Sequence, residues 1–141
     1  MAASLIKADF NENAPTFFSI LGVTYYLTLN VFEDTVRKIS GISRPGNRLV
    51  FDFPDDTTFE DNNSERVRNL AKITAKLGEP MKHGFKISEI TEALGRQKFI
   101  IKTHETPGKI QEHFFDNYDN KENRLKAFEN MHIILAEKGD K

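Results

Sequence analysis

The residues of this sequence that could take part in chemistry gather in two short segments. Gly22, Tyr25 and Tyr26 follow one apolar run, and Asp52, Asp55 and Asp56 cluster at the end of another. A glycine permits close approach of a ligand or backbone, tyrosines offer hydroxyls and flat faces, and carboxylates accept hydrogen bonds. Because ligands of open α/β sheets bind beyond the carboxyl ends of the strands, both segments are candidates for a binding cleft. A structural interpretation stays open: the tyrosines would pack at the core, and the carboxylates would form a solvated turn.

Other kinds of site find little support. The four histidines are scattered and form no H-E-x-x-H motif, the glycines are too far apart for a phosphate loop, and cysteine is absent. With 20 basic against 21 acidic residues, nothing favours nucleic acid or an anionic membrane surface. The sequence contains neither a long apolar segment nor a signal-peptide pattern. We therefore expect a soluble, cytoplasmic protein with a small-molecule substrate, no metal, no nucleic acid and no membrane partner.

The two segments belong to one predicted βαβ unit. Thr16–Val23 is apolar on both faces, which is typical of a strand covered on both sides. A helix follows, and a second apolar strand, Arg48–Phe53, is ended by Pro54. The predicted buried stripe of the helix consists of residues at intervals of three and four: Leu29, Phe32, Val36 and Ile39.

Helices and strands continue to alternate along the chain, which predicts an α/β fold in one domain, residues 1–141. We expect the last two strands to be antiparallel neighbours. The further predicted elements are a short strand at Ser4–Phe10, a mobile loop at Asp55–Asn63, a helix capped by Ser64, a helix at Glu89–Leu94 closed by Gly95, a strand at Lys98–His104, a helix opened by Thr106 and Pro107, a helix at Lys121–Phe128 and a strand at Met131–Ala136.

Several short sequence motifs resemble those of the leucine carboxyl methyltransferase-like family of S-adenosylmethionine-dependent O-methyltransferases. In order and spacing they are Pro15-Thr16-Phe17-Phe18, Gly22-Val23-Thr24-Tyr25-Tyr26-Leu27-Thr28, Pro45-Gly46-Asn47 and Val50-Phe51-Asp52-Phe53. Asp9-Phe10 resembles the Asp-Phe pair that lies beside the adenine of the cofactor in this family. The later half of the family is similar to Gly78-Glu79-Pro80, Gly84-Phe85 and His113-Phe114-Phe115.

The resemblance implies a fold, a cofactor and a set of site residues. The fold would be a partial class I methyltransferase-like (Rossmann-like) sheet flanked by helices, and the cofactor S-adenosylmethionine. Tyr25 and Asp52 would lie near the substrate. The residues implied to bind the cofactor are Asp9, Phe10, Gly22, Val23 and Tyr26.

The resemblance is to the carboxyl-terminal half of such enzymes. Their amino-terminal half carries the first strand, a glycine-rich cofactor loop and the acid that holds the ribose, and none of these patterns is found here. We therefore expect a truncated chain without independent activity, or else a non-catalytic α/β binding or oligomerisation module. The edge of the strand Thr16–Val23 would be open to pairing. It could be covered by Ser4–Phe10, by a second copy of the chain in a homodimer, or by another polypeptide.

Overall fold

A mixed sheet of four strands organises the part of the chain that the computed structural model describes, residues 4–5, 7–60, 63–81, 83–116 and 125–140. The spatial order of the strands is β1-β2-β4-β3, with β1 parallel to β2 and β4 antiparallel to both of its neighbours. The predicted α/β class and the antiparallel pairing of the last two strands are confirmed. The strands are β1 (Phe17–Ile20), β2 (Arg48–Pro54), β3 (Phe99–Glu105) and β4 (Met131–Lys138).

Four helices and two short 3-10 turns connect the strands. The turns, at Thr24–Tyr26 and Asp56–Phe59, directly follow the loops that leave β1 and β2. The helices are α1 (Leu29–Ser40), α2 (Glu65–Lys76), α3 (Ile87–Arg96) and α4 (Pro107–Ile110), which continues as a π-helix over Gln111–Phe115. No helix in the described ranges is both long and apolar enough to cross a membrane.

The core lies between one face of the sheet and the helices α1 and α3. The predicted stripe of α1 is confirmed, since Phe32, Val36 and Ile39 are buried and Leu29 packs beside them. Phenylalanine rings fill the centre, and the ring of Phe32 lies 5.1 Å from that of Phe51, centroid to centroid. Burying one such side chain contributes about 1.5–3 kcal/mol. The other core residues are Leu49, Phe53, Phe85, Ile90, Ala93, Leu94, Phe99, Ile134 and Ala136.

The first strand is shorter than predicted and is covered on one side. The side chains of Phe18 and Ile20 pack against the core, whereas Phe17 is 60% exposed and Ser19 is also exposed. The predicted burial of both faces is therefore wrong. The physical reason is position: β1 is the outermost strand of the sheet and pairs with β2 alone among the described strands.

The amino-terminal segment does not form the predicted strand in its described part. The backbone amides of Ala8 and Phe10 both donate to the carbonyl oxygen of Leu5, which folds the segment into a turn. Asp9 adopts a left-handed conformation with φ of 58°. These contacts are local, and this segment does not pair with the outer edge of β1.

Several other predicted boundaries are corrected. The predicted mobile loop contains the ordered turn Asp56–Phe59, whose Thr58 is buried. Helix α3 begins at Ile87 because the Glu89 carboxylate accepts a hydrogen bond from the Lys86 amide, and it passes through Gly95. Of the predicted helix at Lys121–Phe128, residues 121–124 lie outside the described residues and residues 125–128 are not helical.

Candidate functional site

The polar residues that could form a site meet at one end of the sheet. The parallel strands β1 and β2 end there, at Ile20 and Pro54. Because β4 is antiparallel to β2, it begins at the same end, with Met131 opposite Pro54. β3 also ends there, since Glu105 pairs with Ile133. This is the end of an open α/β sheet at which ligands bind.

Two predicted site residues, Gly22 and Asp52, are in direct contact. The Gly22 amide donates a hydrogen bond of 2.8 Å to Oδ1 of Asp52. The Thr24 hydroxyl donates to the backbone carbonyl oxygen of Asp52. These bonds fasten the loop after β1 to the end of β2. Gly22 has φ of +70° and open space on its Cβ side, so glycine is required here by the backbone conformation and leaves room for a ligand.

Burial controls the charges in this part of the site. Asp52 is 8% exposed, and this burial raises the pKa of its carboxyl, although the Gly22 amide opposes the shift. Burial also raises the pKa of Tyr25, and the negative charges of Asp52 and Asp55 raise it further. Tyr25 therefore keeps its hydroxyl proton at neutral pH and can donate a hydrogen bond. Tyr25 directly follows Thr24, whose hydroxyl bonds the Asp52 carbonyl, so it lies close to the end of β2.

The other predicted site residues lie further from the contact between Gly22 and Asp52. Val23 is 45% exposed and Tyr26 is half-buried, both in the loop after β1. The ring of Phe10 lies 6.5 Å from the ring of Phe18, within β1 rather than beyond its end. Among the described residues, no hydrogen bond joins Asp9 or Phe10 to the Gly22–Asp52 pair. The structure thus brings together Gly22, Tyr25 and Asp52, and leaves Asp9 and Phe10 apart from them.

Sequence reasoning missed a hydrogen-bonded chain of three side chains at this end of the sheet. Nε2 of His104 lies 2.8 Å from Nδ1 of His132, and Nε2 of His132 lies 3.4 Å from Oδ2 of Asp55. Phe53 stacks on both imidazoles, with centroid distances of 5.1 Å to His132 and 6.3 Å to His104. The available signal was weak: each histidine stands near the end of a predicted strand, and the two strands are neighbours.

The carboxylate of this chain is held in a fixed position. Its Oδ1 accepts hydrogen bonds from the amide and the hydroxyl of Thr57, and the Asp55 amide donates to the carbonyl of Asn130. Burial alone would raise the pKa of Asp55, but the hydrogen bonds from His132 and Thr57 outweigh it and hold the pKa below its usual value. Asp55 is therefore ionised at neutral pH.

The backbone of residues 83–85 packs tightly against Asp55. Phe85 forms a parallel bridge with Asp55, and its amide donates a 2.9 Å bond to the carbonyl of Pro54. A Cβ added at Gly84 would lie 2.1 Å from the Asp55 carbonyl oxygen, so glycine is required here by close approach. Nε2 of His83 is buried and has no hydrogen-bond partner among the described residues. These contacts make Asp55 the most firmly supported carboxylate of the site.

Comparison with solved structures identifies the fold. A DUF574 family protein from Streptomyces avermitilis superposes with a TM-score of 0.64 at 15% identity, over 96% of this chain and 51% of that one. Magnesium protoporphyrin IX methyltransferase from Synechocystis PCC 6803, solved with bound SAH, gives 0.52 at 13% identity, over 91% and 48%. The fold is that of a methyltransferase-like α/β protein, and the predicted partial Rossmann-like sheet is confirmed.

Sequence comparison finds relatives that share one name. The chain is 38% identical over 128 residues to the Bacillus subtilis protein named "Putative S-adenosyl-L-methionine-dependent methyltransferase YktD". The matched residues make up 90% of this chain and 41% of the relative. A similarly named Mycobacterium tuberculosis protein is 35% identical over 78 residues, 55% of this chain and 25% of its own length. No family model matches the sequence. The chain is thus similar to proteins that are named putative S-adenosyl-L-methionine-dependent methyltransferases, and it spans less than half the length of the curated relatives it matches.

Proposed function

We propose that this chain is part of an S-adenosyl-L-methionine-dependent O-methyltransferase of the leucine carboxyl methyltransferase-like subtype. The methyl acceptor is a carboxylate or hydroxyl oxygen of a small molecule or a protein. The observation that carries the proposal is the bond from the Gly22 amide to Asp52. This bond joins two of the sequence segments that resemble the family, Gly22–Thr28 and Val50–Phe53. Both lie at the carboxyl ends of parallel strands, where ligands of such sheets bind.

The residues present fit one side of a cofactor site. The left-handed Gly22 with open space beside it permits a ligand to approach the backbone closely, and Val23 next to it is exposed. Gly22, Val23 and Tyr26 would hold the cofactor. When bound, the cofactor supplies an electrophilic methyl group on a positively charged sulfur.

The chain's own residues would position the acceptor. Asp52 fixes the loop after β1 through the Gly22 amide, and thereby fixes the place of Tyr25 and Tyr26. Tyr25, kept protonated by burial and by two carboxylates, donates a hydrogen bond to the acceptor. Positioning of this kind accounts for a large part of the acceleration that methyl transfer requires.

The same proposal assigns the chain to the carboxyl-terminal half of the fold, without independent activity. Two observations support it. The chain matches 41% of the Bacillus subtilis relative, and the outer edge of β1 has no partner strand among the described residues. Exposed apolar side chains, Phe17 at 60% and Leu21 at 57%, lie along and just beyond this edge. A strand from another polypeptide or from a second copy of the chain would pair there.

Calorimetric titration of S-adenosyl-L-methionine into the purified chain tests the cofactor proposal. We expect weak, saturable binding, with a Kd on the order of 1 mM. Asp52→Ala should weaken it at least roughly tenfold, because the Gly22 loop loses the bond that fixes it. Asp56→Ala is the matched control, since Asp56 is an exposed carboxylate four residues further along.

The outcome separates the two functions under consideration. Heat that saturates in the wild type and in Asp56→Ala, but not in Asp52→Ala, supports the methyltransferase site. If no variant binds at several times the expected Kd, the chain alone is not a cofactor-binding unit. A stable dimer in sedimentation, abolished by Phe17→Lys, would then favour the oligomerisation module.

A further inference from the structure

Two histidine rings tie neighbouring strands together at one end of the sheet. Nε2 of His104 in β3 lies 2.8 Å from Nδ1 of His132 in β4, and Nε2 of His132 lies 3.4 Å from Oδ2 of Asp55. Phe53 of β2 stacks on both imidazoles. The two rings therefore connect three strands and the loop after β2.

The protons of these groups have one order at neutral pH. Asp55 is ionised, so Nε2 of His132 carries the proton that lies between them. A neutral His132 then has its lone pair on Nδ1, which accepts the proton on Nε2 of His104. Nδ1 of His104 keeps its lone pair, and in the described part of the chain no hydrogen bond to this atom is formed.

The pair of rings can take up one proton without losing a hydrogen bond, but it cannot take up two. The first proton occupies the lone pair on Nδ1 of His104, and each contact still contains one donor and one acceptor. A second proton must enter the contact between the rings, because the other three nitrogen atoms then carry hydrogens. Two N–H groups and two positive charges would face each other across 2.8 Å, and this repulsion separates the rings.

The groups around His104 resist its charged form. Burial lowers the pKa of His104 most, the charge of His132 and the positive Lys109 lower it further, and Glu105 opposes them. Lys109 also donates to the carbonyl oxygen of His104. The opposing acid is already engaged, since Oε2 of Glu105 lies 2.9 Å from Nδ1 of His113.

The groups on the other side of the pair compensate a single positive charge. Asp55 attracts the charged form of His132, an attraction that also lowers the pKa of Asp55. The pKa of Tyr25 is raised, so its hydroxyl stays protonated and contributes no charge. In the segment packed against Asp55, the ring of His83 lies edge-on to Phe85, with 4.9 Å between the centroids.

The pairing of β3 with β4 has an irregularity just before His104. The register shifts between Ile101 and Thr103, so residues 103–105 pair with β4 as a short stretch separate from residues 99–101. Helix α4 follows this stretch directly, with Thr106 as its amino-terminal cap. The contact between the two rings thus lies on a short stretch of β3 that can separate from β4 by itself.

We propose that His104 and His132 form an acid-sensitive clasp, which opens when the two rings take up a second proton and releases residues 103–105 and α4 from β4. This inference does not rest on the proposed methyl transfer. Because the pKa of His104 is lowered in the closed state, the open state binds the second proton more readily. The clasp is therefore fully closed above the ordinary histidine value of 6.5 and weakens as the pH falls through the lowered pKa.

Nuclear magnetic resonance of the full chain over a pH series tests the clasp. Imidazole nitrogen shifts should show both rings protonated on Nε2 at neutral pH, and the contact between the rings should survive the first proton and vanish with the second. Amide hydrogen exchange of residues 103–105, corrected for its intrinsic pH dependence, should accelerate up to about tenfold for each pH unit below the second step. Residues 99–101 should keep their protection.

Variants at position 104 separate the clasp from general acid unfolding. His104→Gln keeps a donor for Nδ1 of His132 but takes no proton, so residues 103–105 should stay protected in acid. His104→Phe keeps an aromatic ring beside Phe53 and should likewise show no acid release. His113→Gln is the matched control, since it removes an exposed histidine outside the clasp and should leave the release in place.

Three results would overturn the proposal. Residues 103–105 could stay protected in the wild type after both rings are charged, or their release could persist in His104→Gln and His104→Phe. The whole chain could also unfold before the rings take up the second proton. Each of these results would show that the contact between the rings does not control the end of β3.

Discussion

Replacing Gly84 by alanine should destabilise the fold strongly, although the change adds a single methyl group. The new Cβ would lie 2.1 Å from the Asp55 carbonyl oxygen, so it must move about 0.9 Å to reach the 3.0 Å below which real contacts essentially never fall. Overpacking of this kind costs about 1–3 kcal/mol. Separation of the two segments also loses the hydrogen bond from Phe85 to Pro54, worth about 0.5–1.5 kcal/mol. We expect a total loss of about 1.5–4.5 kcal/mol.

Urea unfolding followed by circular dichroism measures this loss, and thermal unfolding should show a Tm lower by roughly 5–15 °C for a chain of this size. Gly95→Ala is the control. Gly95 lies in α3, a Cβ there would meet nothing within 4 Å, and alanine should add about 0.5–1 kcal/mol of stability. A Gly84→Ala protein within about 0.5 kcal/mol of the wild type would refute the close packing of residues 83–85 on Asp55.

Two further predictions concern protons. Because burial raises the pKa of Asp52 above its unfolded value of 3.8, this carboxyl favours folding most at low pH and loses that contribution as the pH rises through its folded pKa. The free energy of unfolding of the wild type, relative to Asp52→Asn, should therefore fall in urea titrations as the pH rises above 3.8 and through the raised folded pKa of Asp52; a constant difference would contradict the burial of the charge. In ultraviolet titration, one of the three tyrosines should ionise well above the usual range, and Tyr25→Phe should remove that late step, whereas Tyr26→Phe should not.

The sequence predicted best those features that depend on local periodicity. The apolar spacing of α1 predicts a helix with one buried face, because residues three and four apart lie on the same face of a helix. The contact between Gly22 and Asp52 was also within reach, since the carboxyl ends of neighbouring parallel strands meet at one edge. Both features follow from a single βαβ unit, which a contiguous stretch of sequence specifies.

Features that depend on distant pairing were beyond the reach of such patterns. The apolar residues of β1 predicted that both of its faces are buried. That prediction was wrong because an apolar run does not reveal whether the sheet continues beyond the strand. His104 and His132 are 28 residues apart, and they meet because β3 and β4 pair with a register shift between Ile101 and Thr103. A shift of one residue moves side chains to the other face of a sheet, so the contact could not be read from the sequence.

The position of β4 has a consequence for the order in which the fold can assemble. β2 and β3 are not neighbours, and the strand that joins them, β4, is the last of the four described strands in chain order. During synthesis, β2 and β3 emerge before their common partner exists, and each must wait with an unsatisfied edge until Lys138 has left the ribosome. Closing the sheet also requires contacts between residues as far apart as Arg48 and Glu137, which slows folding. The nascent chain thus depends on β4 to join β2 and β3 into one cooperative unit.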